Sequence, residues 1–344
     1  MREVAELRIR EEFASMLLSD TEGEKLGNSI RKFEIETRDP RFGEVGRLQQ
    51  ELRSRQGTSL FSGWQLRRIY SKDDIAGAKM FQVRVQAVFE PAGEECGTKY
   101  DESTACPKCG AGAVQVSDLF LDLRRAPKTK DIVTTIANEI IVSQRLAELL
   151  IDSALTGFEL RQVRHKAQYK DDAIDLHRLQ SGREILQKAE AAGAQHPTGR
   201  FYVWLNRAEN RTLLEQARTE YAALKIEEGR RPSETTPSWY QLIVTSASAE
   251  VVSPTRTGID PFDYDMRGEY RCPLGHVIGL NLLSEVSIRA TSIGESDIIH
   301  SQQFVGVRRG LLRPRRMILI SRKFYNLIVS RNVKGLEIEL ANLV

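Results

Sequence analysis

The chain has 344 residues, with 50 Lys+Arg against 47 Asp+Glu and a net charge of +3. That balance excludes an acidic solubility tail and a strongly basic protein alike. Domains run to about 100–200 residues, so roughly two are expected, enough to bury a core without staples. Hydrophobic residues make up 41% and charged residues 28%, an ordinary globular composition. No apolar run approaches the ~18–20 residues of a membrane span. The charged start Met1-Arg2-Glu3-Val4-Ala5-Glu6 lacks the apolar stretch of a secretory signal, so a cytoplasmic protein is expected.

Residues 4–18 carry Val4, Leu7, Ile9, Phe13, Met16 and Leu17 among charges, which predicts an amphipathic helix. It would belong to a helical, charged extension over residues 1–75, with a second short helix near 44–55. Met80 to Phe89 alternates apolar and polar residues and predicts a strand.

The cysteines follow. Cys106-Pro107-Lys108-Cys109-Gly110 is a knuckle whose backbone N–H groups can point at both thiolates, a geometry suited to tetrahedral zinc. Cys96 resembles half of a partner knuckle, but Gly93 stands where the leading cysteine would be. Three local thiolates therefore lack a fourth ligand. Cys272-Pro273-Leu274-Gly275-His276 is the other candidate source, and either Cys272 or His276 could complete the site. Thiolate softness favours Cys272. The expected metal is a structural zinc bridging two distant parts of the chain, a folding role. The competing reading makes Cys272 a small buried hydrophobe and the 96–109 loop a degenerate knuckle.

Ile140 to Leu160 predicts strand, helix and strand: an apolar run into Ser143, a good N-cap, then Leu146, Leu149 and Leu150 on one face, then Gly157 and Phe158. The same pattern returns 178 residues later, where Ser321, Leu327, Gly335 and Glu337 match Ser143, Leu149, Gly157 and Glu159 without a gap. That predicts an internal duplication. Between the copies, strands are expected at 201–205 and 239–244, a helix at 208–227, and loop over 254–270. The fold class is α+β with two related halves. The divisions are 1–75, 76–168 (first half with the zinc ribbon), 169–265 (an inserted α+β segment) and 266–344 (second half), with the halves parting near 168–200.

Catalytic signatures are missing: there is no GxxxxGK[ST], HExxH or GxSxG. Asp260, Asp263 and Asp265 form an acidic loop that is either a cation site or a solvated turn. From Val307 to Lys334 there are basic residues and no acidic one, including Arg308, Arg309, Arg313, Arg315 and Arg316. Such a stretch suits an acidic partner surface, nucleic acid, or a plain solvated face.

The knuckles and the repeated unit together resemble the double-CxxCG immunity proteins of bacterial polymorphic toxin systems. The residues carrying the resemblance are Cys106 to Gly110 with Val142 to Leu146 and Leu155 to Glu159, then Cys272 to His276 with Ile320 to Arg322 and Val333 to Glu337. It covers about residues 80–165 and 270–344, and departs from the pattern where CPLGH replaces the second CxxCG. The resemblance implies a non-enzymatic, metal-binding protein that neutralises a cognate toxin, often a nuclease, by protein–protein interaction. The alternative is a zinc-ribbon nucleic-acid-binding protein, with Phe324 and Tyr325 near the Arg-rich segment for stacking.

Overall fold

A computed structural model describes residues 1–166, 238–264, 271–274, 276, 281–306 and 311–344. The strand expected at 201–205, the helix at 208–227 and the boundary near 168–200 lie outside the described residues.

Residues 1–69 form an antiparallel sheet rather than a helical extension. β1 (Arg2–Arg10) occupies the first part of the helix expected over 4–18, and only α1 (Glu11–Ala14) is helical there. Ala5, Leu7 and Ile9 are fully buried and alternate with Glu6 and Arg8. That period of two outweighs the looser helical spacing around it. β2 (Glu24–Leu26), β3 (Ile30–Glu36) and β4 (Phe61–Ile69) complete the sheet in the order β2-β3-β1-β4. α2 (Pro40–Gln56) contains the helix expected over 44–55. It starts where the Asp39 side chain accepts from the Arg41 N–H, ends at left-handed Gly57, and lays Val45, Leu48 and Leu52 on the sheet.

The chain continues through α3 (Lys72–Gly77), β5 (Met80–Val85), β6 (Val88–Phe89), β7 (Tyr100–Asp101), β8 (Val114–Gln115), β9 (Phe120–Leu121), β10 (Ile132–Thr135), β11 (Ile140–Ser143), α4 (Gln144–Asp152), β12 (Phe158–Gln162) and β13 (Arg164–His165). Beyond residue 237 come β14 (Trp239–Val244), β15 (Val251–Val252), β16 (Thr257–Asp260), β17 (Asp263–Tyr264), β18 (Asn281–Leu282), β19 (Val286–Ile288), β20 (Ile298–Val305), β21 (Arg315–Ser321), α5 (Arg322–Ser330) and β22 (Leu336–Leu343). The stretch 254–270, expected to be loop, supplies β16 and β17. There Phe262 packs 4.6 Å from Phe42 on the N-terminal core. Asp260 is buried against Arg53 at 2.8 Å, and Asp263 lies 3.2 Å from the same guanidinium. These two carboxylates are thus partners of an arginine and not a solvated turn; Asp265 lies outside the described residues.

Both expected strand–helix–strand units are present, as β11-α4-β12 and β21-α5-β22. Ser143 caps the Leu146 N–H and Ser321 caps the Phe324 N–H. Ala154 and Asn332 each end a helix region at positive φ, followed by Gly157 (φ +94°) and Gly335 (φ +108°). The units sit in separate sheets, ordered β12-β14-β11-β10-β6 and β15-β19-β22-β5-β21-β20. Each sheet takes a central strand from the other part of the chain. β5, which precedes the first unit, pairs with β21 and β22 of the second. β14, which precedes the second unit, pairs with β11 and β12 of the first.

A reciprocal set of hydrogen bonds joins the units. The Lys334 N–H donates to the Asp131 carboxylate at 2.8 Å, and the Thr156 N–H donates to the Asp297 carboxylate at 3.1 Å. The Ile132 N–H reaches the Lys334 carbonyl, and the Ile298 N–H reaches the Thr156 carbonyl. Arg145 grips Asp131 through two bonds of 2.9 and 2.7 Å, while Lys323 lies 3.8 Å from Asp297. One core lies beneath: Phe81, Val83 and Leu242 from the exchanged strands meet Leu146 and Leu150 of α4 and Phe324 and Ile328 of α5. Among the described residues no helix is long and apolar enough to cross a membrane.

A Cβ at Gly157 would collide with the Ile298 carbonyl oxygen, and one at Gly335 with that of Ile132. With the positive φ added, Gly157→Ala and Gly335→Ala should each lose about 1–3 kcal/mol or more in urea unfolding. Burial opposes ionisation of Asp131, but the Arg145 fork and the Lys334 N–H outweigh it and hold the carboxyl below its ordinary value. Its stabilisation is therefore present above the unfolded value of about 3.9 and fades as pH falls through the lower folded value. Asp131→Asn should cost about 1–3 kcal/mol at neutral pH. The gap from the parent protein should narrow progressively below about pH 4.

Candidate metal centre

Four side chains from two distant segments converge. Cys106 and Cys109 lie on the turn between β7 and β8, whose register pairs Tyr100 with Gln115 and Asp101 with Val114. Cys272 and His276 lie between β17 and β18. The Sγ atoms of the three cysteines and a ring nitrogen of His276 all lie within 4.8 Å of one another. The three cysteines are buried and His276 is exposed. Four donors at this spacing could hold one metal ion.

The backbone is shaped around the sulfurs. The Cys106 N–H donates to the Ala111 carbonyl at 2.7 Å and the Gly110 N–H to the Cys106 carbonyl at 2.8 Å, which closes the turn. Gly110 and Gly112 take the positive φ that lets it double back. The N–H groups of Cys109 and Lys108 face the Cys106 sulfur and, with His276 and Cys272 near it, bring that thiol down to about 6 against the effect of burial. Burial pushes the Cys109 thiol up to about 11, with only the Ala111 N–H opposing. In the second segment the Leu274 N–H reaches the Cys272 sulfur at 3.4 Å. This is the same N–H-to-sulfur device, on a segment with one cysteine.

The sequence left Cys272 and His276 as alternatives, and the structure brings in both. Cys96 is the correction: among the described residues it is not in the four-donor group. It is buried on a 3₁₀ turn (Glu94–Cys96), and burial pushes its thiol up to about 11 despite a bond from the Asp122 backbone. Gly93 also has a job of its own. Its N–H donates to the buried Glu139 carboxylate at 3.1 and 3.2 Å, and a Cβ there would meet Glu139, Thr98 and Leu119. No leading cysteine would fit.

Of the five arginines expected to form a partner surface, Arg308 and Arg309 lie outside the described residues. Arg313 is not a free surface charge. It pairs with Glu94 at 2.7 Å and Glu102 at 3.3 Å and lies 4.0 Å over the Tyr100 ring. It ties the segment leading into β21 to the region that bears the first two cysteines. Arg315 meets the Asn138 side chain at 3.2 Å, and Arg316 lies 4.6 Å over the Phe304 ring. Phe304 itself packs against the cysteines, and its N–H donates to the His276 carbonyl. Sequence reasoning missed Glu139, Tyr100 and Phe304 as supports of the centre, because no spacing rule connects them to the knuckle.

Purified chain should carry about one metal ion, measured by inductively coupled plasma mass spectrometry. Cys106→Ser and Cys272→Ser should lose it, whereas Cys96→Ser should keep it. Because thiolates and imidazole must be deprotonated to bind, the ion should leave as pH falls.

Comparison with protein-family models, with curated proteins and with solved structures finds no match to this chain.

Proposed function

We propose that the chain is a zinc-stapled, internally duplicated binding protein of the immunity type, which neutralises a cognate toxin protein and has no catalytic activity of its own. The observation that carries this reading is the four-donor centre of Cys106, Cys109, Cys272 and His276, which joins two distant segments of a chain whose two strand–helix–strand units share one core. A zinc tetrahedron with bonds of about 2.3 Å holds its sulfurs roughly 3.8 Å apart. The Cys106 and Cys272 sulfurs stand 3.7 Å apart, far beyond the ~2.05 Å of a disulfide. Three thiolates and an imidazole are a soft donor set that favours zinc over magnesium or calcium. Zinc here would supply a structural crosslink: four protein ligands leave no position for a reacting water.

The duplication is supported by the reciprocal bonds of Asp131 and Asp297 and by the matched caps at Ser143 and Ser321. Toxin binding is supported by the likeness of each knuckle-plus-unit pair to the double-CxxCG immunity proteins. A nucleic-acid role draws less support, because Arg313 of the basic stretch is held by Glu94 and Glu102.

The test is co-expression of the tagged chain with the product of the neighbouring gene. A co-purifying complex is expected, together with restored growth of cells that make that product. Cys109→Ser, which opens the staple, should weaken both. Neither complex nor rescue would remove the toxin reading.

A further inference from the structure

A cleft of about 820 Å³ runs between the N-terminal sheet and the two exchanged sheets. β4 borders it at Trp64 and Arg68, β5 at Gln82 and Arg84, and the β7–β8 hairpin at Tyr100 and Gln115. Its size is that of a ligand site. Its charge is one-sided: Arg53, Arg68, Arg84, Arg313, Arg315 and Arg316 line it against Glu139 and Glu339. Burial, reinforced by Arg316, pushes the His300 imidazole beside them down to about 4, so it is neutral at pH 7.

The six arginines divide into two groups. Arg53 pairs with Asp260 and Asp263, Arg68 with Glu3 and Glu339, Arg84 with Glu339, and Arg313 with Glu94 and Glu102. Among the described residues, Arg315 and Arg316 have no carboxylate partner. Arg316 instead lies 4.6 Å over the Phe304 ring and donates to the Ser301 carbonyl at 3.5 Å, which limits its conformational freedom before any ligand arrives. The surrounding protein, and then the like charge of Arg84, hold the Arg315 guanidinium below its ordinary value. Like charges on neighbouring strands favour a bound anion beside them. The lining also holds buried polar groups without partners: Arg68 Nη2, Gln82 Oε1, and Nε and Nη1 of Arg313. Side chains of Arg68 and Gln82 are almost wholly buried, so these atoms have no access to bulk water.

We propose that this cleft receives a short acidic segment of a partner protein, whose carboxylates pair with Arg315 and Arg316 beside Arg84. This rests on the reading of the chain as a protein-binding protein. A carboxylate matches the guanidinium fork with two parallel bonds. An extended nucleic acid would need many phosphate contacts along a basic track. Here only two of the lining arginines lack an acid among the described residues, and they follow one another at the start of β21 on the border of one cleft.

The probe is a fluorescent hexaglutamate peptide, titrated into the full chain at low salt and followed by anisotropy. Saturable binding that weakens with salt is expected. Arg315→Gln combined with Arg316→Gln should reduce it about tenfold or more, with circular dichroism and metal content unchanged. No saturable binding, or binding equal in the double variant, would overturn the proposal. So would a single-stranded oligonucleotide of equal charge that binds more tightly and depends equally on the two arginines. The neighbouring-gene partner separates this proposal from the functional reading. If that complex forms and survives the double substitution, the cleft proposal falls and the immunity reading stands. If hexaglutamate binds through the two arginines and no partner complex forms, the reverse holds.

Discussion

β5 and β14 each sit between two strands supplied by a distant part of the chain. A strand in that position finds partners for its N–H and C=O groups on both edges, and buried backbone groups left without partners are costly. The exchange therefore makes the backbone hydrogen bonding of each sheet depend on the other part of the molecule. The rest of the core follows from it. Phe81 can stack 4.1 Å from Tyr325 only because β5 lies beneath α5. Arg322, over the Phe81 ring, then reaches back to the carbonyls of Ile75, Ala76 and Ala78 at the end of α3. Asp131 and Asp297 fasten the seam at two related points.

A metal ion held by the four donors would act on the same problem from outside the sheets. Cys106 and Cys272 are 166 residues apart in sequence and their sulfurs are neighbours in space. Holding them together through a metal would restrict the unfolded chain, and the benefit grows with the loop enclosed. Arg313 reinforces the same region without a metal, since it grips Glu94, Glu102 and the ring of Tyr100. Tyr100 in turn donates to Glu139 at 2.8 Å, and Glu139 receives Gly93. The centre is thus wired into the first sheet by a chain of polar contacts that carries no sequence signature.

Local features were legible, and so was one long-range joint, the approach of Cys272 and His276 to the knuckle; the pairing of strands was not. The cap at Ser143, the turn at Gly157 and their counterparts at Ser321 and Gly335 are written in residue types whose backbone preferences are strong, and each sits where the pattern puts it. The knuckle was legible for the same reason. The N-terminal strand was misread because Val4, Leu7 and Phe13 happen to suit a helical stripe, while the buried set Ala5, Leu7 and Ile9 obeys a period of two. Cys96 misled because proximity in sequence to a knuckle does not carry a thiol to it. The exchange of β5 and β14 could not be read at all. Trp239 to Val244 shows only that a strand exists there, and its choice of neighbours is a property of the whole fold.

That exchange also bears on how the protein is made. When β5 leaves the ribosome, neither of its flanking strands exists. β21 and β22 end at Ser321 and Leu343, and translation proceeds at about 5–20 residues per second, so β5 waits roughly 10–50 s for its neighbours. During that interval Phe81 and Val83 have no apolar cover from the second unit, and the first unit holds an open slot between β11 and β12 until β14 arrives. A second nascent chain nearby offers the same strands to the same slots. The spacing of chains on a polysome would then bear on the yield of correctly paired chain, independently of the stability of the finished molecule.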